Sequence, residues 1–195
     1  TGNICRSPFA RALMADLMGR EALEDVAVDS AGLAALPGNT VTPLAEKAAR
    51  EYDIDLSPHR AKLVSPALLD WSDLVLVMEK SHREELVITY PQAQGRCLLL
   101  RHFARYGSRT RGIADPYGRR YESYRFCFLD IADAVSGLMA YLKTQERRYA
   151  GITVQCYEGF AANESPRAFQ WEGRHMRLSE LSTAGTLRTA TTPLT

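Results

Sequence analysis

Thr1-Gly2-Asn3-Ile4-Cys5-Arg6-Ser7-Pro8 reads as a short loop that runs straight into a helix. Ser7 is a favoured N-cap residue and Pro8 fits the first helical position. Apolar residues follow at i, i+4 spacing (Phe9, Leu13, Leu17; Ala10, Met14, Met18). Backbone amides ahead of a helix N-terminus attract anions. Gly2 lets the backbone approach closely, and Arg6 adds a planar two-oxygen fork, so the stretch is built to hold a tetrahedral dianion. Asn3 is placed to fix the loop, because a positive φ is cheap for asparagine.

Working outward, the chain alternates strands and helices. Val26-Ala27-Val28 is a short β-type run leading into Asp29-Ser30. Thr42-Pro43 makes a cap followed by a first turn, and Leu44, Ala45, Ala48, Ala49 and Tyr52 share one helical face. Ser57-Pro58 and Ser65-Pro66 are two further helix-start signals. Leu74 to Met78 is a continuous apolar run, as expected of a strand buried on both faces of a parallel sheet. Ser81-His82-Arg83-Glu84 has the form of a capping box, and Cys97 to Leu100 is a second buried-strand candidate. A long helix starts near Tyr121, with Tyr124, Phe128, Ile131, Val135, Leu138 and Leu142 spaced by three and four. This order predicts an α/β fold, a small parallel sheet flanked by helices. A phosphate-binding loop normally follows a strand, and no residue precedes Thr1 to form it, so the expectation is a sequence truncated ahead of its first residue, without the first strand.

The composition shifts after Arg147-Arg148. Residues 149–182 read as a small β-rich module, with Glu172-Gly173 as a turn, and residues 183–195 as a disordered tail; the phosphate-binding domain is then 1–148. Four basic and four acidic residues follow Gly151, a balance that argues against a nucleic-acid stripe. The 195-residue chain has a net charge of +1 and 46% hydrophobic residues, so nothing steers it toward nucleic acid or a membrane. Cys5, Cys97, Cys127 and Cys156 lie far apart without metal-ligand spacing, which points to a reducing cytoplasm and no metal. Charge is uneven in one place. Between Arg96 and Arg125 eight arginines face two acids, Asp115 and Glu122, a local balance of +6. That run is either a solvated basic loop or a rim that attracts an acidic or phosphorylated peptide.

The opening loop resembles the signature of the low-molecular-weight protein tyrosine phosphatases, Cys-(x)5-Arg-Ser. Asp29-Ser30-Ala31-Gly32, Met78-Glu79-Lys80-Ser81-His82 and Asp115-Pro116-Tyr117 arrive in the family's order and at its approximate spacing, over about residues 1 to 145. The resemblance implies hydrolysis of phosphotyrosine with no cofactor. It places the nucleophilic cysteine directly before Thr1 and makes Arg6 and Asp115 the catalytic pair. Thr1, Gly2, Asn3, Ile4, Cys5 and Arg6 would hold the phosphate. Ser7 would hydrogen-bond the cysteine sulfur, or act as a plain cap. His59 would orient the loop, or be a surface histidine, and Tyr117 would wall the pocket. Cys5 is either a redox partner of the nucleophile or a small buried side chain, and Cys97 and Cys127 read as core. Gly118 stands where many relatives carry a second aromatic.

Ser30-Ala31-Gly32-Leu33, Met78-Glu79-Lys80 with His82, Arg101-His102-Phe103 and Ile4 look most like members paired with bacterial tyrosine autokinases. Related protein-arginine phosphatases typically have Thr at the place of Ile4. An arginine or small-molecule phosphatase therefore stays open, as does an inactive phosphopeptide-binding module should Thr1 be the natural start.

Overall fold

The computed structural model describes residues 2–23 and 25–146, and the backbone of 152–158, 169–171 and 174–176. Thr1 and the segment 183–195 lie outside the described residues. Five α-helices, α1 (Arg6–Arg20), α2 (Pro43–Arg50), α3 (Pro66–Trp71), α4 (Lys80–Thr89) and α5 (Tyr121–Glu146), alternate with strands β1 (Val26–Gly32), β2 (Leu74–Val77) and β3 (Cys97–Leu99). Strand β4 (Ile152–Glu158) follows, and β5 (Phe169–Trp171) and β6 (Arg174–Met176) pair antiparallel. Among the described residues no helix is long and apolar enough to cross a membrane.

The sheet order is β1-β4-β2-β3, and every pair in it is parallel. The sequence reading puts Ile152–Glu158 in a separate module. The backbone instead seats this segment between β1 and β2, with Val28 opposite Val154 and Leu76 opposite Cys156. It takes a central position in the sheet, paired on both sides. A run of Ile, Thr, Val, Gln, Cys and Tyr is well suited to a pleated surface paired on both edges.

Strand periodicity divides the core into two layers. Val75 and Val77 of β2 join Cys97, Leu69 and Leu86 on the α3 and α4 side. Leu76 joins Leu98, Phe9, Met14 and Phe128 on the α1 and α5 side. Alternate residues of one strand thus serve opposite faces, both buried. Phe9 is the hub of the second layer, stacked on Phe128 (centroids 4.0 Å apart, planes 6° apart) and edge-on to Tyr52 at 5.1 Å. Burying a side chain of this size contributes about 1.5–3 kcal/mol. Cys97 is fully buried, and burial pushes its thiol up to about 12, so it stays protonated and inert.

Local signals place the starts of α2, α3 and α5, and three others differ. Thr42 and Ser65 cap α2 and α3 as expected, each side chain accepting from the amide three residues on, Ala45 and Leu68, at 3.3 Å. Helix α1 begins at Arg6 with Cys5 at the N-cap, so Ser7 lies inside the first turn and does not cap it. Helix α4 begins at Lys80, so Ser81 is likewise inside the helix and no capping box forms. Ser57-Pro58 starts no helix. The Ser57 amide and hydroxyl both donate to the Asp55 carboxylate (2.8 and 2.9 Å), which closes a turn instead.

One glycine fixes how α5 docks. A Cβ added to Gly137 would lie 1.8 Å from the Phe103 carbonyl oxygen, a backbone atom that cannot step aside alone. Gly19 of α1 has nothing within 4 Å of that position. Gly137→Ala is therefore expected to destabilise by at least about 1–3 kcal/mol, while Gly19→Ala stabilises by up to about 1 kcal/mol. Urea denaturation of both variants checks the contrast, and equal midpoints would show that α5 does not sit this close to residue 103.

Candidate active site

Residues 2–6 wrap the N-terminus of α1, and Asn3 is their anchor. Its φ is 56° and it is completely buried. Its Nδ2 donates to Ser7 Oγ (3.0 Å) and Ser30 Oγ (3.1 Å), and its Oδ1 accepts from the Lys62 amide at 3.0 Å. His59 Nε2 donates to the Asn3 carbonyl at 2.8 Å. The Ile4 carbonyl accepts from the Thr42 amide at 3.0 Å. Four residues distant in sequence, Ser30, Thr42, His59 and Lys62, thus fix one short loop together with Ser7, and the left-handed conformation costs little at asparagine. The expectation that His59 orients the loop has its contact here, and Ser7 is engaged by Asn3.

His59 is half-buried, and that burial pulls its pKa below the ordinary 6.5, with the Asn3 carbonyl acting in the opposite sense. A histidine depressed on folding stabilises the protein above its unfolded pKa. That stability is lost as pH falls through the lower folded value. The His59 imidazole should accordingly titrate below 6.5 by NMR, and the loop should loosen on the acid side of that midpoint. A midpoint at or above 6.5 would contradict the burial.

Arg6 opens α1 and is only 1% exposed. Its Nη1 donates to Glu79 Oε1 (2.5 Å) and to the Ile113 carbonyl (2.7 Å), while Nη2 meets Asp115 Oδ2 at 3.0 Å. A buried guanidinium requires such partners, because an uncompensated buried charge is costly. Glu79 stands just past the end of β2 in extended backbone, and also lies 3.5 Å from His82 Nε2. Sequence reasoning placed Glu79 only within a family motif and gave it no role. The signal that finds it is a buried arginine in need of a carboxylate.

Asp115 reaches the site on the loop between residue 103 and α5. The Ile113 amide donates to the Met78 carbonyl at 2.7 Å. Gly112 eases the approach, since a Cβ there would lie 3.1 Å from Glu79 and from the Met78 oxygen and push them back by a few tenths of an ångström. Asp115 Oδ1 accepts from the Tyr117 amide at 3.1 Å, which leaves Oδ2 turned to Arg6. Tyr117 is 62% exposed at the rim, ready to face a substrate ring. Gly118 beside it has φ +71° and open space around it.

Cys5 is buried, with Sγ 3.3 Å from Thr42 Oγ1, and Thr42 also caps α2. Tyr124 closes over this corner, its phenol raised chiefly by burial. The structure thus brings Asn3, Arg6, Ser7, His59 and Asp115 to one loop and its support. A basic fork, a carboxyl beside it and amides at a helix start can bind a phosphate monoester and protonate its leaving oxygen.

Comparison with known proteins points the same way. A family model described as low molecular weight phosphotyrosine protein phosphatase matches residues 1–148. A probable low molecular weight protein-tyrosine-phosphatase, EpsP of Ralstonia nicotianae, is 35% identical over 123 residues, covering 63% of this chain and 78% of that protein. The protein-arginine-phosphatase of Geobacillus stearothermophilus is 33% identical over 147 residues, covering 75% and 94%. Among solved structures, the tyrosine phosphatase Wzb of Escherichia coli K30 in complex with sulphate aligns with a TM-score of 0.65 and 31% identity, covering 73% of this chain and 93% of that one.

Proposed function

We propose that this chain, which belongs to the low molecular weight phosphotyrosine protein phosphatase family, removes phosphate from tyrosine residues of proteins. The nucleophile in this reading is the cysteine that the family pattern places directly before Thr1. Its thiolate attacks phosphorus, a P–S bond forms, and the P–O bond to the phenol breaks. Arg6 and the loop amides hold the equatorial oxygens as charge builds on them. Asp115 gives its proton to the departing phenolate. It then takes a proton from water, whose oxygen displaces sulfur and releases inorganic phosphate. The observation that carries this reading is the 3.0 Å contact of Arg6 with Asp115, which sets the anion clamp beside the acid.

The substrate class is phosphotyrosine protein, a bacterial tyrosine autokinase being the partner that the motifs around Ser30, Met78 and Arg101 favour, in the cytoplasm. Ile4 supports tyrosine over arginine as the phosphorylated residue. An apolar side chain suits a flat ring, whereas a guanidinium against it would leave N–H groups unpaired. The test uses protein extended through the upstream cysteine, with phosphotyrosyl and phosphoarginyl peptides of one sequence in the presence of EDTA. Faster turnover of the tyrosyl peptide is expected. Preference for phosphoarginine, or activity that returns only with a divalent metal, would overturn the reading.

A further inference from the structure

The basic run from Arg96 to Arg125 is not uniform once folded. Arg101 and Arg111 share Asp130, Arg105 pairs with Asp133, and Arg125 pairs with Glu51. Arg96 donates to the Ser72 carbonyl at 2.5 Å and Arg109 to the Ala104 carbonyl at 2.9 Å. These six arginines tie the fold together. Arg119 and Arg120 are exposed and take part in no ion pair among the described residues.

Their place in the fold is specific. They follow Tyr117 in the turn that carries Asp115, with the Arg119 amide bonded to the Pro116 carbonyl at 3.0 Å. Immediately afterwards α5 begins at Tyr121. Positive side chains gain nothing at a helix N-terminus, where the dipole is already positive, and Glu122 is the acid that complements that end. Fold stability therefore gives no account of the pair, while the rim of an anion site does.

We infer that Arg119 and Arg120 form a docking surface for acidic side chains flanking the phosphotyrosine, so that the substrates are acidic phosphopeptide segments. This rests on the reading of residues 2–6 as a phosphate cradle. Two neighbouring guanidinium groups suit two carboxylates of an extended peptide. They fall short of the cluster of about four to eight cations that an anionic lipid surface takes.

The test is equilibrium binding to the full chain, which needs no turnover. Fluorescein-labelled phosphotyrosyl peptides differing only in Glu or Gln at the flanking positions are titrated by anisotropy, at low and high salt. The Glu peptide should bind about five- to tenfold tighter at low salt, from two exposed pairs, and the advantage should fade as salt rises. Arg119→Gln with Arg120→Gln should abolish the advantage and leave the Gln peptide's affinity unchanged. Free phosphotyrosine should displace both peptides. Equal affinities in the unmodified protein, or a preference that survives the double substitution, would overturn the docking surface alone. Failure of phosphotyrosine to compete with either peptide would overturn the cradle reading, and the docking surface with it.

Discussion

Arg6→Lys is expected to lower kcat/KM on an aryl phosphate by at least about 10²-fold, or about 2.7 kcal/mol of transition-state stabilisation. The prediction applies to protein carrying the cysteine before Thr1. Arg6 uses one nitrogen for Glu79 and the Ile113 carbonyl while the other faces Asp115, so the fork is oriented before any substrate arrives. A lysine ammonium is a point charge on a flexible stem and cannot hold both supports while presenting two parallel donors to a phosphate. The loss should fall mainly on kcat, because the equatorial oxygens carry most charge in the transition state. Circular dichroism and denaturation midpoints separate this from unfolding. Near-normal kinetics in a folded Arg6→Lys protein would mean that the loop does not cradle the reacting phosphate.

Asp115→Asn should separate substrates by the acidity of their leaving group. A tyrosyl oxygen needs a proton as it departs, and general acid catalysis is worth about 10²–10⁴-fold. A strongly acidic phenol such as p-nitrophenol leaves largely unaided, so its first step should suffer far less. Asparagine keeps the shape and can still accept from the Tyr117 amide, which holds the turn in place. The contrast between phosphotyrosine and p-nitrophenyl phosphate is therefore the readout. Equal losses on both would assign Asp115 to the structure of the turn, or to activating water in the second step.

Much of this site is legible from residue order, because its parts are local. The loop, the helix it feeds and the Asp-Pro turn each carry their own conformational signal, and Asn3 with φ 56° is the residue type that position asks for. Even a local signal can mislead: Ser7 looks like a cap, yet Asn3 engages its hydroxyl and the helix begins at Arg6. Glu79 could not be assigned from its surroundings, since it meets Arg6 across a long stretch of chain. The seat of β4 was invisible for the same cause. Parallel pairing joins strands far apart in sequence and leaves no periodic trace that distinguishes a central strand from a hairpin strand. The run of arginines showed only its sum. Which of them the fold neutralises depends on Asp130, Asp133 and Glu51, and none of those is read from the run itself.

The pinning of Ile113 to the end of β2 limits how far the acid can travel. Asp115 stands two residues beyond that fixed point, and two extended residues span at most about 7 Å. Gly118, with φ +71°, follows Asp115 in the turn, and the arm that bears the carboxyl is short. Such an arm can sweep a small arc in nanoseconds to microseconds, and it cannot chase a recessed oxygen. The burden of approach passes to the substrate. On the proposed reading of Asp115 as the acid, the favoured ester oxygen protrudes on a stem that enters the arc, as a phenol at the end of a side chain does.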